Sequence, residues 1–341
     1  LGAGASADAG APVWKNFFNK VEELIKESKF MPEETKIFND VLYKRNKLLP
    51  ESDIEEFFSY VDFQNQFDVL ISTPLFVREI QKKMFNENIH NSVPLIPDLQ
   101  QAGLRKKDFE KLEKDISFLI SRTLHETIKD TNQEIVEIYQ KLMKTFDVII
   151  SFNWDLLCEH AYRKLENKSF SDQQLGFDKN ILNKPALLKL HGSLNWGLCS
   201  KCGLYLSDSE IVHQIYGAGI TCPVCNKEKL SPVSILPALS KFENIIETKF
   251  PSYRLMWHSA MRAITEAKEI YFFGYSLSDN DFHTKIFFKS GIQNNINSNL
   301  KIFVIDKNCD EELQQRYNDA FLNKIKPEFI KSSFKDCSKH F

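Results

Sequence analysis

The sequence predicts an α/β fold in which a parallel sheet carries a large helical insertion and a small four-cysteine module. Three observations predict it. Five short apolar runs each end in polar or glycine residues, apolar residues between about 31 and 144 recur at spacings of three and four, and two C-x-x-C pairs stand nineteen residues apart. Short apolar runs suit strands buried on both faces, three-and-four spacing suits amphipathic helices, and paired cysteines suit a metal.

Composition bounds what such a chain can do. Its 341 residues allow one large domain or two smaller ones, and 43% hydrophobic residues with 28 phenylalanines allow a sizeable core. A formal charge of −2 and a pI near 6.5 supply no bulk attraction for nucleic acid, and Arg105-Lys106-Lys107 reads as a solvated helix face. No apolar run approaches the ~20 residues that cross a bilayer, and no signal peptide is visible. Four of the seven cysteines fall into the C-x-x-C pairs, which points to metal ligation in a reducing compartment and predicts a cytoplasmic protein.

The chain opens on Gly2-Ala3-Gly4-Ala5-Ser6-Ala7, which fits G-x-G-x-x-A. Small residues there let backbone N–H groups approach a pyrophosphate, although a Gly/Ala-rich turn uses the same residues. The strand expected before such a motif lies upstream of Leu1, outside this sequence. Trp14 to Ile25 has helical spacing (Phe17, Phe18, Val21, Leu24, Ile25), so Glu22 and Glu23 fall on a surface. A dehydrogenase needs a second strand ending in an acid at about that place, and an ordinary nicotinamide dehydrogenase is therefore disfavoured.

Helical periodicity continues through Ile54, Phe57, Phe58 and Val61, then Leu112, Ile116 and Leu119, then Ile135, Ile138 and Leu142, with turns near Pro50, between Pro94 and Pro97, and at Gly103. The strand-like runs follow. Val148 to Ile150 leads into Ser151-Phe152-Asn153-Trp154-Asp155, Leu187 to Leu190 into His191-Gly192-Ser193, and Val233 to Leu236 into Pro237-Ala238-Leu239-Ser240. Ile270 to Phe273 leads into Gly274-Tyr275-Ser276-Leu277-Ser278-Asp279, and Leu300 to Ile305 into Asp306-Lys307-Asn308. As strands of one parallel sheet, all five would place their polar endings on the carboxyl rim, where such sheets bind ligands.

The spacing C-x2-C-x19-C-x2-C of Cys199, Cys202, Cys222 and Cys225 suits a tetrahedral zinc, structural because four thiolates leave no open position. Cys158, Cys309 and Cys337 read as incidental thiols. His191 stands at a strand end beside Gly192, where an imidazole can serve as a general base; a core histidine is the structural alternative. His160, His213 and His283 read as structural, with Asp279 or Asp281 capping the helix of His283. Asn153 and Asp155 can orient a ribose or a water, and Asp155 can equally cap the helix that begins near Leu156. Asp306 can accept from a ribose diol or close a turn.

Taken together and in order, Gly-Ala-Gly-Ala-Ser (2–6), Asn-Trp-Asp (153–155), His-Gly-Ser (191–193), the paired cysteines and Gly-Tyr-Ser (274–276) resemble the sirtuin family. The resemblance is scattered over most of the chain and covers the helical insertion least. It implies a Rossmann-like domain that binds NAD and a smaller zinc-containing module. Carried over by motif, Gly2, Ala3, Gly4 and Ser6 would hold the NAD phosphates, while Gly274, Ser276 and Asp306 would contact phosphate and ribose. Asn153 and Asp155 would lie near the nicotinamide ribose, and His191 would be the base. The implied division is an NAD-binding domain of 1–30, 145–195 and 231–315, a helical insertion of 31–144, a zinc module of 196–230 and a tail of 316–341.

The chain departs from the protein-deacylase branch. Where deacylases follow the first glycines with Pro-Asp-Phe-Arg, Pro12 is followed by Val13-Trp14-Lys15; their Gln-Asn-Ile-Asp is Phe152-Asn153-Trp154-Asp155; and the stretch that pairs with their peptide is Leu236-Pro237-Ala238-Leu239-Ser240-Lys241-Phe242. These changes, with the insertion, resemble bacterial sirtuin-like effectors that hydrolyse NAD during phage infection. The implied activity is an NAD glycohydrolase releasing nicotinamide and ADP-ribose. Some members of that branch lack the zinc, so the four cysteines keep an NAD-dependent protein-lysine deacylase as the alternative, and a non-catalytic NAD-sensing module is a third. A free NAD hydrolase would kill its own cell, so the insertion is the expected surface for a homo-oligomer or a regulatory ATPase or Argonaute-type partner.

Overall fold

The computed structural model describes residues 1–71, 106–178, 182–234, 251–277, 281–321 and 325–341. The turns at Pro94–Pro97 and Gly103, Arg105, the stretch 236–242, and Ser278 and Asp279 lie outside them. Among the described residues the chain forms two compact units: one runs from Trp14 to Ile120, and the other joins Leu1–Val13 to the residues from Ser121 onward.

The first unit is helical. A 3-10 turn at Trp14–Asn16 leads into helices Phe17–Lys26, Pro32–Leu48 and Ile54–Ile71, and the helix Lys106–Ile128 begins within it. Proline opens the second of these where its missing N–H costs nothing, and Glu34 Oε2 accepts from Met31 N at 2.7 Å to close the helix start. Phe17, Val21, Phe57 and Leu112, which belong to the predicted apolar spacings, are buried, as are Phe38 and Val41 of the helix between them.

The second unit holds the sheets. Strand β1 (Val148–Ser151) pairs in parallel with β2 (Ala186–Lys189), from Val148↔Ala186 to Ser151↔Lys189. Strands β3 (Gly192–Cys199), β4 (Gly203–Leu206) and β5 (Ser231–Ser234) make an antiparallel sheet in the order β4-β3-β5. Strands β6 (Glu269–Phe273), β7 (Lys301–Asp306) and β8 (Glu328–Lys331) make a second parallel sheet in that order. The protein is thus mixed α/β with parallel sheets.

Two expectations change here. The Val233 run does not join a parallel sheet: β5 pairs antiparallel with β3 at Gly192↔Ser234 and Leu198↔Ser231. The cause is Gly192, whose φ of +82° turns the chain immediately after His191 into β3, a strand that apolar patterning did not reveal. The last stretch, expected as a tail, contributes β8, whose Phe329 and Ile330 form too short an apolar run to read as a strand.

Leu1 and Gly2 stitch the two parallel sheets together. Leu1 N donates to Ile150 O at 2.7 Å and Phe152 N to Leu1 O at 3.1 Å, the alternation of a parallel ladder. On the other side Gly2 N donates to Phe273 O at 3.0 Å and Gly4 N to Gly274 O at 2.8 Å. No described helix is long and apolar enough to cross a membrane.

The junction depends on glycine at three places. A Cβ on Gly2 or Gly4 would come within 2.6 or 2.8 Å of the Gly274–Tyr275 backbone, and one on Gly274, at φ +56°, would come within 2.3 Å of Ala5 N. Gly203 also has positive φ, +85°, but nothing lies within 4 Å of its Cβ position. Left-handed strain of about 1–2 kcal/mol plus overpacking of about 1–3 kcal/mol predicts that Gly274→Ala loses about 3 kcal/mol or more, and Gly203→Ala only about 1 kcal/mol. Urea midpoints of the two variants, with unchanged m, check the difference, and equal losses would contradict the interlock.

Candidate active site

Asn153 follows the end of β1, and its amide is oriented from behind. Its Nδ2 donates to Gly2 O and to Ser6 Oγ, both at 2.8 Å. Ser6 Oγ in turn donates to Asp155 Oδ2 at 2.5 Å, and Asp155 Oδ1 accepts from Leu157 N at 3.1 Å. Ser6 and Asp155 are only 2% and 6% exposed. The donors all run toward the buried carboxylate, as an acceptor-only group requires. With both amide hydrogens turned inward, Asn153 Oδ1 is the atom directed away from the network and is an acceptor for a hydroxyl or a water. Asp155 combines both roles considered for it, holding the start of the helix Leu157–Glu166 and anchoring Ser6.

His191 stands two residues beyond β2. Its ring meets Phe152 at 5.0 Å and 67°, and Phe152 stacks on Tyr275 at 5.0 Å and 22°. Tyr275 is pinned in turn: its hydroxyl donates to Asp281 Oδ2 at 2.5 Å, and its carbonyl accepts from Tyr317 OH at 2.6 Å. Asp281, expected as a helix cap, spends its carboxylate on Tyr275 and on Thr284 Oγ1 at 2.7 Å. Burial pushes the Tyr275 hydroxyl well above its ordinary range, so it stays protonated and donates. Phe152 entered the sequence reading only as a departure from the deacylase pattern; its position between two motif residues becomes visible only when β1 and β6 are brought side by side.

The remaining predicted residues divide. The N–H groups of Gly2 and Gly4 are taken up by Phe273 O and Gly274 O, so their close approach is to another backbone; Ala3 is exposed. Ser276 is exposed, and its carbonyl accepts from Arg316 Nε at 2.9 Å. Asp306 ends β7, beside Gly274 through the bond from Gly274 N to Ile305 O at 2.9 Å. Its Oδ1 also accepts from Asn308 N at 2.9 Å, so it closes a turn, and burial raises its carboxyl above the usual range. His213 stacks on His125 at 4.8 Å, in keeping with a structural role. Cys158 and Cys337 are buried thiols and Cys309 is half-buried.

The four paired cysteines converge. Their Sγ atoms lie within 4.8 Å of one another, although they come from the end of β3 and a separate turn. Cys202 N points at Cys199 Sγ at 3.4 Å, and Asn226 N closes the second knuckle on Cys222 O at 2.8 Å. Backbone N–H groups of Glu228 and Lys227 hold the Cys225 thiol down, at about 6. Thiols gathered with N–H donors facing sulfur fit a zinc held by four thiolates, a closed set with no position for substrate. Packing around Cys199, Ile211, Cys222 and Leu230 makes this a separate small core.

Residues 147–330, more than half of the chain, match the family model described as the SIR2-like domain. The matched stretch holds Asn153, Asp155, His191, the four cysteines, Gly274, Ser276 and Asp306; the Gly2–Ser6 segment lies outside it. A comparison with curated proteins finds no match.

The thiol cluster predicts one zinc per purified chain by elemental mass spectrometry. Cys222→Ser should lose that zinc and lower the melting temperature by about 5 °C or more, because structural metal binding is folding free energy. Metal-free wild-type protein of unchanged melting temperature would contradict it.

Proposed function

Because the chain belongs to the SIR2-like domain family, whose function is NAD-dependent, we propose that it is an NAD glycohydrolase, cleaving NAD with water to nicotinamide and ADP-ribose. The observation that carries the reading is the inward-pointing amide of Asn153, held on Gly2 O and Ser6 Oγ, while the neighbouring Phe152 packs against His191. Cleavage passes through an oxocarbenium-like state on the ribose, and the site must position the ribose and admit a nucleophile to one face. Asn153 Oδ1 accepts from the ribose or the attacking water, and His191 takes the proton that the water loses. As the water oxygen bonds to the anomeric carbon, the glycosidic electron pair leaves with nicotinamide.

Asp155 does not act as a covalent nucleophile in this scheme. Its Oδ2 is committed to Ser6 and its Oδ1 to Leu157 N, so its charge acts from a fixed distance. Gly274, Ser276 and Asp306, with the exposed Ala3 of the Gly2–Ser6 segment, would hold phosphate and ribose. The apolar ring of Phe152 against His191, where deacylases carry a glutamine, supports a site that works without a peptide. The complete set of cysteines supports the deacylase alternative, in which the same base serves and an acyl-lysine oxygen replaces water. A regulated role, with NAD depletion triggered in antiviral defence through an oligomer or partner protein, belongs to the same proposal.

Nicotinamide release from NAD, followed by chromatography with and without an acetyl-lysine peptide, tests the reading. Peptide-independent release is expected, and His191→Ala and Asn153→Ala should each lower kcat by about 100-fold, the ordinary scale of general-base catalysis. Turnover that requires the peptide and yields an acylated ADP-ribose would replace the hydrolase with the deacylase.

A further inference from the structure

We propose that Lys189 is a positioning residue that locks the Asn153 loop to the His191 segment, a role that rests on those two residues being the catalytic pair. Lys189 ends β2 and is 1% exposed, in a strand whose other three residues are all buried and apolar. An isolated ammonium in such a place is costly, and an apolar side chain would be the ordinary occupant. Its Nζ instead donates to Ser193 Oγ at 2.7 Å, Glu159 Oε1 at 2.9 Å, Asp155 O at 2.5 Å and Trp154 O at 3.2 Å.

These four acceptors come from three segments. Trp154 O and Asp155 O are the two carbonyls directly after Asn153. Ser193 lies two residues after His191, and Lys189 lies two residues before it. Glu159 comes from the helix Leu157–Glu166 and balances the charge, with Ser193 Oγ also at 3.3 Å from its Oε1. Leu194 N closes the same joint on Trp154 O at 3.0 Å. One ammonium therefore fixes the separation of the loop that carries the amide from the segment that carries the imidazole. Misplacement of such a pair by about 1 Å can cost about 100-fold in rate.

The single variant Lys189→Met strands a buried carboxylate and is expected to be unstable. The informative variant is Lys189→Met with Glu159→Gln, which removes both charges. Its urea midpoint should return toward wild type and its NAD affinity stay within about threefold, while kcat stays about 100-fold low. By hydrogen exchange the Leu157 and Leu194 amides should open about tenfold faster, with Ile149 and Val304 in the parallel strands unchanged. Ser193→Ala, which keeps both charges and removes the hydroxyl that meets Lys189 Nζ, Glu159 Oε1 and Trp154 O, should lose about tenfold in kcat and is decisive if the double variant does not fold. A double variant with wild-type kcat and unchanged exchange, or a fully active Ser193→Ala when the double variant is unfolded, would reduce the ammonium to a stabilising group and overturn the proposal. Wild-type protein that leaves NAD intact would instead overturn the functional reading, and exchange at Leu157 and Leu194 would still decide whether Lys189 holds the loops.

Discussion

Everything at the carboxyl rim depends on a contact of backbone against backbone, where Gly2 and Gly4 lie on Gly274. No side chain fits there: the available space would put a Cβ within 2.3–2.8 Å of main-chain atoms. The contact lets Gly2 bond to Phe273 while Leu1 bonds to Ile150 and Phe152, so two separate parallel sheets meet along one short segment. It also sets the position of Ser6, four residues on. Ser6 reaches Asn153 and Asp155 only because the sheets are held at this distance, and the polar network of the site is a consequence of the glycine junction.

Around that junction, buried polar groups form hydrogen-bonded networks, each with a direction, although Glu159 Oε2 makes no hydrogen bond. Asp155, at the end of one chain, accepts from Ser6, which accepts from Asn153. Asp281, at the end of another, accepts from Tyr275 and Thr284. The Lys189 ammonium works in the opposite sense, donating to carbonyls, a hydroxyl and a carboxylate. Satisfied buried networks rigidify, whereas partly satisfied ones are costly. The aromatic column Tyr275–Phe152–His191 adds a packed wall, in which Asp281 takes the Tyr275 hydroxyl. In the proposed hydrolysis, Asn153 would be a fixed acceptor, His191 a base held against an apolar face and Asp155 a carboxylate already committed, a set that suits direct attack by water.

Much of this was legible in the residues, for identifiable reasons. Runs such as Val148–Ile150 and Ile270–Phe273 are short and wholly apolar, and they are strands with polar endings near one rim. Cysteine spacing needs no long-range information, because each C-x-x-C forms its own knuckle, and the four thiols do converge. Other features depended on what lies opposite in space. The antiparallel β3 is hidden because Gly192 turns the chain where an apolar run has just ended, and its partner β5 therefore reads as one more parallel strand. The glycines of 2–4 read as a phosphate cradle, yet their tight approach is to Gly274, which no local motif reveals. Lys189 and Phe152 carry no signal of their own in the sequence, because a lysine at a strand end and an aromatic after one are ordinary until their neighbours are known.

The most direct measurement is a crystal structure of His191→Ala protein soaked with NAD, since the variant should leave the dinucleotide intact. Electron density is expected with the nicotinamide ribose against Asn153 and the phosphates over the exposed Ala3 and Ser276. NAD bound elsewhere, or absent at saturating concentration, would contradict the assignment of this rim as an NAD-cleaving site.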